Sequence, residues 1–458
     1  MSSEETFDVV VIGAGPAGEV AAGRIAERGD RRVAIVERHL VGGECSYYAC
    51  MPSKALLRPQ ELLAELARVP GAVDGRVAID VEATLRRRDE VISHLDDRGH
   101  LPWLEERGIT VVRGAARLEG ERRVRVGERV LEAREAVLVA TGSTALMPPI
   151  PGLAEAAAWT SREITTARVV PERLVILGGG VVAVEMAQTW RSLGSEVTVV
   201  EAADRLLPRE EPFAGDEVAQ ALRHAGVDVR TAARATGVSG ATGSEMTLEL
   251  DGGESVSGSH LLVAVGRKAI TEGLGLETLG VEPGKPIEVD ETLRVTGHDW
   301  LYAIGDVNGV AQLTHMGKYQ ARLVADRILG DEDARTQVAG ALSPRVVFTD
   351  PQVAATGHTL ESALAAGITA EAIDLPTSGT AGASFHGRKT PGTTRFVVDS
   401  GRDLLVGATF VGPEVGEFIQ AATIAIIGEV PIPRLAHAIA PFPTRSELWL
   451  KFVEAYGL

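Results

Sequence analysis

The two cysteines of this 458-residue chain, Cys45 and Cys50, lie five positions apart. Five residues of regular helix rise about 7.5 Å, whereas a disulfide needs Cα atoms about 4.4 to 6.8 Å apart. The spacing therefore predicts a bent or partly unwound segment and a redox couple, rather than two unrelated buried thiols. No second cluster of cysteine and histidine accompanies them in the sequence, so half of a zinc site is the weaker interpretation and no metal ligand is predicted.

The bulk composition limits the classes of function. A formal charge of −17 and an isoelectric point near 5.2 disfavour nucleic-acid binding. The first five residues hold no basic run and no apolar run reaches membrane-spanning length, so neither a signal peptide nor a membrane contact is expected. A cytoplasmic location follows as an expectation, and in that compartment a disulfide is more often catalytic than structural.

A first dinucleotide-binding pattern opens the chain. An apolar strand over residues 8–12 leads into Gly13, Gly15 and Gly18, and the sequence then predicts a helix. These glycines permit a tight turn, a close approach of backbone to a pyrophosphate, and close packing of helix on strand. Glu37 ends the next predicted strand and is placed to bind a ribose hydroxyl.

The pattern returns at Gly178 and Gly180, with Ala183 in the third position. The next predicted strand, residues 197–200, ends at Glu201. A carboxylate there repels a 2′-phosphate, which favours NAD over NADP as the second cofactor. The chain is thus predicted to hold two dinucleotide folds about 165 residues apart.

Two further turns follow predicted strands. Ala140, Thr141, Gly142 and Ser143 come after the strand 136–139, and Gly305 with Asp306 comes after the strand 300–302. An Asp in that position accepts a hydroxyl hydrogen bond, so both turns are interpreted as contacts to FAD.

In this order the motifs are specific, and the chain resembles the class I flavoprotein disulfide reductases, the group of dihydrolipoamide dehydrogenase, glutathione reductase and mercuric reductase. The resemblance implies an α/β fold with two Rossmann-like domains, for FAD and NAD, and a C-terminal α+β dimerisation domain. The expected boundaries are 1–147 and 268–338 for the FAD domain, 148–267 for the NAD domain and 339–458 for the dimerisation domain. The matching segments are 13–18, 45–54, 140–142, 178–185, 266–267, 305–306, 348–351 and 405–409.

The resemblance also implies a path for electrons, from NADH through FAD to the Cys45–Cys50 disulfide. Cys50 is then the flavin-side thiolate, Cys45 meets the substrate, and Lys54 lies by the flavin and pairs with Glu185. The remaining implied cofactor contacts are Pro16, Ala17, Arg38, Gly43, Glu44, Gly114, Ala115, Val181, Gly266, Arg267 and Thr314.

One departure from the family pattern concerns the catalytic acid. Members are homodimers in which a His-Pro-Thr-x-x-Glu motif completes the partner's active site, and here that His is Phe442 while Glu447 remains. A phenylalanine carries no proton, and general acid–base groups contribute about 10²- to 10⁴-fold in rate. Either Glu447 or, less readily, His437 would have to replace it, and an atypical, possibly sulfur-containing small-molecule substrate is expected.

Three alternatives stay open at this point. The 2-ketopropyl-coenzyme M oxidoreductase/carboxylase carries the same His-to-Phe change, which suggests reductive C–S cleavage with carboxylation. A quinone reductase or NADH oxidase would reduce its acceptor from the flavin itself, with Tyr47 and Tyr48 as a wall for a planar substrate. A non-catalytic redox-sensing flavoprotein is the weakest of the three, because the nucleotide and cysteine motifs are complete.

Overall fold

The computed structural model describes residues 4–72, 75, 77–338, 340–387, 390 and 392–458. The predicted domain boundaries at Met1 and Ala339 lie outside them. The chain divides into two compact units, the first made of Met1–Pro52, Asp89–Leu146 and Arg267–Gly340, and the second of Ser53–Arg88, Met147–Gly266 and Ala341–Leu458. The boundaries of three separate domains stay a prediction.

The described part of the chain contains both β-strands and α-helices. The strands are β1 (Glu4–Ile12), β2 (Val33–Glu37), β3 (Thr110–Arg113), β4 (Ala116–Leu118), β5 (Arg123–Val126), β6 (Arg129–Val139), β7 (Ser143–Ala145), β8 (Arg173–Leu177), β9 (Glu196–Val200), β10 (Asp228–Arg230), β11 (Ala235–Gly240), β12 (Met246–Leu250), β13 (Ser255–Gly258), β14 (His260–Val263), β15 (Arg267–Ala269), β16 (Leu301–Ala303), β17 (Arg345–Val347), β18 (Gln352–Gly357), β19 (Ala370–Pro376), β20 (Thr393–Asp399) and β21 (Leu404–Gly412). The α-helices are α1 (Pro16–Arg28), α2 (Gly43–Tyr47), α3 (Cys50–Arg68), α4 (Val81–Val91), α5 (Leu101–Glu105), α6 (Ser161–Thr166), α7 (Val181–Ser192), α8 (Pro212–His224), α9 (Thr314–Ile328), α10 (Leu360–Ala365), α11 (Ile419–Ile427), α12 (Ile432–Leu435) and α13 (Glu447–Tyr456).

The first unit is built on a seven-stranded sheet with the order β3-β2-β1-β6-β5-β4, in which β16 also pairs with β6. The pairs β3–β2, β2–β1, β1–β6 and β6–β16 are parallel. The pairs β4–β5 and β5–β6 are antiparallel and form a meander. Because carboxyl ends of parallel strands meet at one edge of a sheet, the turns after β1, β6 and β16 converge there. This is the edge at which the sequence predicts the FAD contacts.

The alternation of side chains along β1 explains why this sheet is buried on both faces. Val9 and Val11 pack with residues of α1 and α9 in one apolar cluster. Val10 and Ile12 face the opposite way and pack with residues of the β4–β5 meander in another. Burying a valine or isoleucine side chain contributes about 1.5 to 3 kcal/mol relative to leaving it exposed.

The second unit repeats the same arrangement and adds an antiparallel sheet. Its parallel sheet has the order β10-β9-β8-β14, and a three-stranded meander of β11, β12 and β13 follows. The C-terminal part is a five-stranded antiparallel sheet with the order β17-β18-β21-β20-β19. Its core includes Phe396 stacked on Phe452 with ring centroids 4.2 Å apart.

The predicted fold class is confirmed by this architecture. Each of the two sheets with parallel strands contains the predicted order of strand, glycine turn and helix. After them along the chain comes a C-terminal region with helices and an antiparallel sheet. None of the described helices combines the length and mean hydropathy that crossing a bilayer requires.

Candidate active site

The two cysteines lie on either side of a break between helices. Cys45 belongs to α2, the chain leaves helical geometry at Tyr48 (φ −133°, ψ −3°), and α3 begins at Cys50. Both side chains are half-buried, and both cysteines are in the thiol form. The interruption that the five-residue spacing predicted is therefore confirmed.

The surroundings of the sulfurs separate the two thiols chemically. The Cys50 Sγ lies 3.4 Å from the Thr314 Oγ1, at the first residue of α9. The hydrogen bond with Cys50, followed by burial, raises the pKa of the Cys45 thiol well above its ordinary value, and Thr314 and Lys318 oppose that shift only in part. The Cys50 Sγ, by contrast, lies at the positive end of the α9 helix dipole, an environment that stabilises negative charge.

The turn after β1 provides a cradle for a dinucleotide. Gly13 has φ +106°, and a Cβ there would lie 2.4 Å from the Ala140 carbonyl oxygen. A Cβ on Gly43 would lie 2.7 Å from the Gly15 Cα. These positions admit only glycine, and they leave peptide backbone open to a pyrophosphate.

The carboxylate at the end of β2 closes this cradle. The Glu37 side chain accepts hydrogen bonds from the Ala14 N–H at 2.8 Å and the His39 N–H at 2.7 Å. A carboxylate has about four lone-pair positions, so acceptor capacity for a ribose hydroxyl remains. Gly114 donates its N–H to the Glu37 carbonyl, whereas the predicted contact Ala115 is exposed.

A polar cluster joins the other predicted FAD residues of the first unit. The Ser143 hydroxyl donates to Asp306 at 2.5 Å and accepts from the Arg267 Nε at 2.7 Å. Arg267 also lies 3.5 Å from Glu44. Burial raises the pKa of Asp306, and the bond from Ser143 opposes that shift.

Ser143 belongs to the stretch 140–143 that the sequence interprets as an FAD contact, but its partners were not predicted. Its role depends on the pairing of β7 with β15, which brings Ser143 opposite Ala269, and the sequence alone does not reveal that pairing. Of the other predicted contacts, Pro16 starts α1, and Ala17 packs close to Gly305. Arg38 is exposed beside Glu37. Together these residues fit FAD, because the glycine cradle leaves backbone open to a pyrophosphate and the half-buried Asp306 offers an acceptor for a hydroxyl.

The second unit carries a matching cradle. Gly178 has φ +114°, and a Cβ there would lie 2.4 Å from the Ala264 carbonyl oxygen, the same distance as at Gly13. Gly180 caps α7 in open space, and Val181 beside it is exposed. The Glu201 Oε1 accepts the Ala203 N–H at 2.6 Å. Gly266, at φ +137°, ends this part of the unit.

The predicted partners Lys54 and Glu185 are in contact. The Lys54 Nζ lies 2.8 Å from the Glu185 Oε2 and 3.1 Å from its Oε1. The carboxylate, 4% exposed, also accepts the Phe348 N–H at 3.0 Å. The Phe348 ring lies 4.5 Å from the Lys54 Nζ, a cation–π contact that the sequence did not reveal.

Phe442 and Glu447 occupy different environments. Phe442 is 76% exposed, whereas Glu447 is half-buried in the first turn of α13. The Glu447 carboxylate accepts the Gly382 N–H at 3.4 Å. His437 is exposed in the turn after α12. In a single chain, then, the aromatic ring projects into solvent while the acid is anchored.

The tyrosine pair beside the cysteines does not form an open wall. Tyr47 is 2% exposed and packs against His100, with ring centroids 6.0 Å apart. Burial and nearby acids raise the pKa of Tyr47 to about 12. The interpretation of Tyr47 as a surface for a planar substrate is therefore wrong, because the space under α2 is filled by His100.

His100 also forms an ion pair with Glu19, and the stability that this pair contributes depends on pH. The hydrogen bond that the His100 Nδ1 donates to the Glu19 carboxylate, at 2.9 Å, raises the His100 pKa above its ordinary 6.5. The ion pair thus contributes its full stability below about pH 6.5, and the contribution is lost as the pH rises through the raised pKa. Replacing Glu19 by Gln is expected to lower the melting temperature by about 1 to 2 °C near pH 6 and less near pH 9, since His100 is partly exposed.

Calorimetric scans across that range test the pH effect. The matched control is Glu27→Gln, because Glu27 pairs with an arginine, Arg107, rather than with a histidine. A loss in Glu19→Gln that is equal at both pH values would contradict the assignment of the effect to His100.

Comparison with known proteins adds independent information. Residues 7–321 match the family model of the pyridine nucleotide-disulphide oxidoreductases, and residues 343–452 match the dimerisation domain of that family. The chain is 34% identical to a mercuric reductase of Shigella flexneri over 97% of its length and 80% of the relative's. It is 32% identical to dihydrolipoyl dehydrogenase 3 of Pseudomonas aeruginosa, over 97% and 96%.

Two solved structures are similar over nearly their whole length. A Cu(II) complex of RclA, the HOCl-induced flavoprotein disulfide reductase of Escherichia coli, superposes with a TM-score of 0.85 at 27% identity, covering 98% of this chain and 99% of that one. LpdA of Mycobacterium tuberculosis gives a TM-score of 0.85 at 25% identity, covering 99% and 100%.

Proposed function

Because this chain belongs to the pyridine nucleotide-disulphide oxidoreductase family, we propose that it passes electrons from NADH through FAD to Cys45 and Cys50, and on to an acceptor that needs no general acid. Family membership makes the chain a flavoprotein oxidoreductase that uses FAD and NAD(P)H. The match to a dimerisation domain supports a homodimer. The path through the cysteines and the nature of the acceptor are the proposal.

The single observation that carries it is the placement of the two cysteines on either side of a helix break. Cys45 lies in α2, and Cys50 begins α3, where its Sγ is 3.4 Å from the Thr314 Oγ1 at the start of α9. When bound, FAD would relay an electron pair between a nicotinamide and sulfur. The helix break is the departure from regular helix that a disulfide between residues five positions apart requires.

Phe442, which stands where the family has its catalytic His, narrows the chemical class of acceptor that we propose. Opening an organic disulfide requires a proton for the departing thiolate, and Phe442 has none to give. Reduction of a thiophilic metal ion to the neutral metal requires two electrons and no proton for a leaving group. NADH and Hg²⁺ give NAD⁺, one proton and Hg⁰, and soft thiolates are the ligands such an ion prefers.

The similarity to mercuric reductases supports this class of acceptor. We therefore propose a soft, thiol-binding metal ion as substrate, with Cys45 and Cys50 as its ligands during reduction. Phe442 and Glu447 of the partner subunit are proposed to border the site, where the phenylalanine ring excludes water. Lys54, held by Glu185, keeps its proposed place beside the reducing cofactor.

Anaerobic assays with NADH and three acceptors test the proposal. Hg²⁺ supplied as its chloride complex is expected to be reduced at least about 100-fold faster, in kcat/KM, than lipoamide, because chloride leaves without a proton and only lipoamide needs the absent acid. A quinone is expected to be slower than Hg²⁺ and unaffected by the Cys45→Ser/Cys50→Ser double substitution. Lipoamide turnover equal to that with Hg²⁺ would overturn the proposal.

The preference for NADH rests on Glu201. Its carboxylate is fixed by the Ala203 N–H at the end of β9, where it would repel a 2′-phosphate. Glu201→Ala is expected to raise kcat/KM for NADPH relative to NADH by about tenfold, which is about 1.4 kcal/mol. Stopped-flow flavin reduction with each nucleotide measures the ratio, and Glu196→Ala, an exposed acid at the other end of β9, is the control. An unchanged ratio would remove Glu201 from nucleotide selection.

A second candidate is reductive C–S cleavage with carboxylation, as in 2-ketopropyl-coenzyme M oxidoreductase/carboxylase. The exposed Phe442 favours it, because a site without a proton donor protects a carbanion. Retention of Glu447 counts against it. Thioether cleavage by NADH that yields a carboxylated product only with bicarbonate would establish this activity, and its absence would exclude this candidate.

A further inference from the structure

We propose that Glu65, His386 and Glu414 bind a divalent transition-metal ion of the Zn²⁺ type, at a site separate from the cysteines. A carboxylate oxygen of each glutamate and a ring nitrogen of His386 all lie within 4.8 Å of one another. All three residues belong to the second unit. They come from α3, from the 3₁₀ turn Gly382–His386 and from the residue that precedes the 3₁₀ turn Val415–Glu417.

Close backbone contacts hold these segments together. A Cβ on Gly387 would lie 2.7 Å from the Arg68 carbonyl oxygen, so the residue after His386 is pressed against the end of α3. A Cβ on Gly382 would lie 2.2 Å from the Thr444 carbonyl carbon, which fixes the other end of the turn. The turn that carries His386 is therefore positioned by packed backbone at both of its ends.

The donor set suits a borderline divalent ion. One imidazole nitrogen and two carboxylate oxygens are ligands that Zn²⁺ accepts in sites with three protein ligands and a water. An ion equidistant from three atoms 4.8 Å apart lies about 2.8 Å from each, and zinc needs about 2.0 to 2.2 Å. Rotation of the two glutamate side chains, which are not fully buried, closes that difference.

A small cavity borders one of the three ligands. It has a volume of about 10 Å³ and is lined by His386, Arg445, Thr377 and Thr390, among others, but by neither glutamate. That volume is about one water molecule, so a water fits beside His386.

A positively charged side chain beside the cluster opposes the binding of a cation unless it is engaged by other groups. His386 and the Arg445 guanidinium lie 3.8 Å from the same Glu414 oxygen. Burial lowers the pKa of Arg445, and its guanidinium is also held over the Phe418 ring at 4.6 Å. Arg445 therefore acts as an outer partner that orients Glu414, as such partners do for ligating carboxylates.

Two more arginines lie near, and both are engaged by other acids. Arg58 pairs with Glu61, and Arg68 pairs with Asp350. The two cluster carboxylates thus keep enough negative charge for a divalent ion. Metal binding would then fasten the C-terminal half of α3 to the C-terminal region, which raises stability by mass action.

Titration calorimetry with zinc chloride tests the site. The sample is the full-length, FAD-loaded Cys45→Ser/Cys50→Ser protein, in which the cysteines bind no metal. We expect one ion per chain, and at least about tenfold weaker binding in Glu65→Gln and in His386→Asn. His224→Asn, an exposed histidine of the same unit, is expected to bind zinc as its parent does. Absence of binding, or equal binding in all variants, would overturn the proposal.

A second measurement does not depend on how the variants fold. Zinc X-ray absorption on the zinc-loaded double-serine protein is expected to show one imidazole in the first shell, together with oxygen ligands. A shell without imidazole would overturn the assignment to His386.

Discussion

Serine at Cys45 is expected to lower turnover of the metal-ion acceptor by at least about 10³-fold, since removal of a nucleophile that acts as part of a unit costs rates of this order or more. Cys45 is the thiol assigned to the acceptor, whereas Cys50 interacts with Thr314. Reduction of the flavin by NADH should continue at a similar rate, because it precedes any step at Cys45. Steady-state assays and stopped-flow absorbance measure the two quantities separately.

The control for this substitution is Ser46→Ala, one residue further along α2. It should leave both rates within about twofold, as surface substitutions usually do. Retention of acceptor turnover in Cys45→Ser would contradict the role of the cysteine pair and direct attention to transfer from the flavin itself.

Histidine at Phe442 is expected to raise lipoamide turnover by about 10²- to 10⁴-fold, the usual contribution of a general acid–base group. The sequence retains Glu447, the acid that pairs with this His in the family, and the structure holds it half-buried at the start of α13. Phe442 itself is largely exposed, so the substitution removes little packing within the chain. The kcat for lipoamide with NADH, measured across pH, should show a new ionisation near that of a histidine.

Phe442→Ala separates the acid from the space it occupies. It removes the ring without adding a proton donor, so it should not raise lipoamide turnover. Equal activation by alanine and histidine would show that Phe442 obstructs the substrate sterically. If Phe442→His gives no activation, Glu447 does not orient the new histidine.

Much of the fold and of the nucleotide sites could be predicted because the signals are local. The turn at Gly13 and the turn at Gly178 each need a glycine that any side chain would block, and each follows a strand of buried valines and isoleucines. The break between the cysteines followed from the reach of a disulfide alone. Such features depend on neighbours within a few residues, so the sequence contains them.

The features that the sequence did not reveal depend on tertiary pairing. Ser143 joins Arg267 to Asp306 only because β7 pairs with β15. Tyr47 is buried because His100, far along the chain, fills the space beneath α2. Glu65, His386 and Glu414 carry no local motif, since each comes from a different segment.

The measurement that tests the central claim most directly is an anaerobic titration of the oxidised protein with NADH or dithionite, followed by visible absorbance. We expect a long-wavelength band from a thiolate beside the flavin to appear before the flavin bleaches, with one electron pair per chain consumed beyond the flavin's own. That result would show Cys45 and Cys50 to be an active couple. Direct bleaching, with no such band and no additional electron pair, would contradict the account.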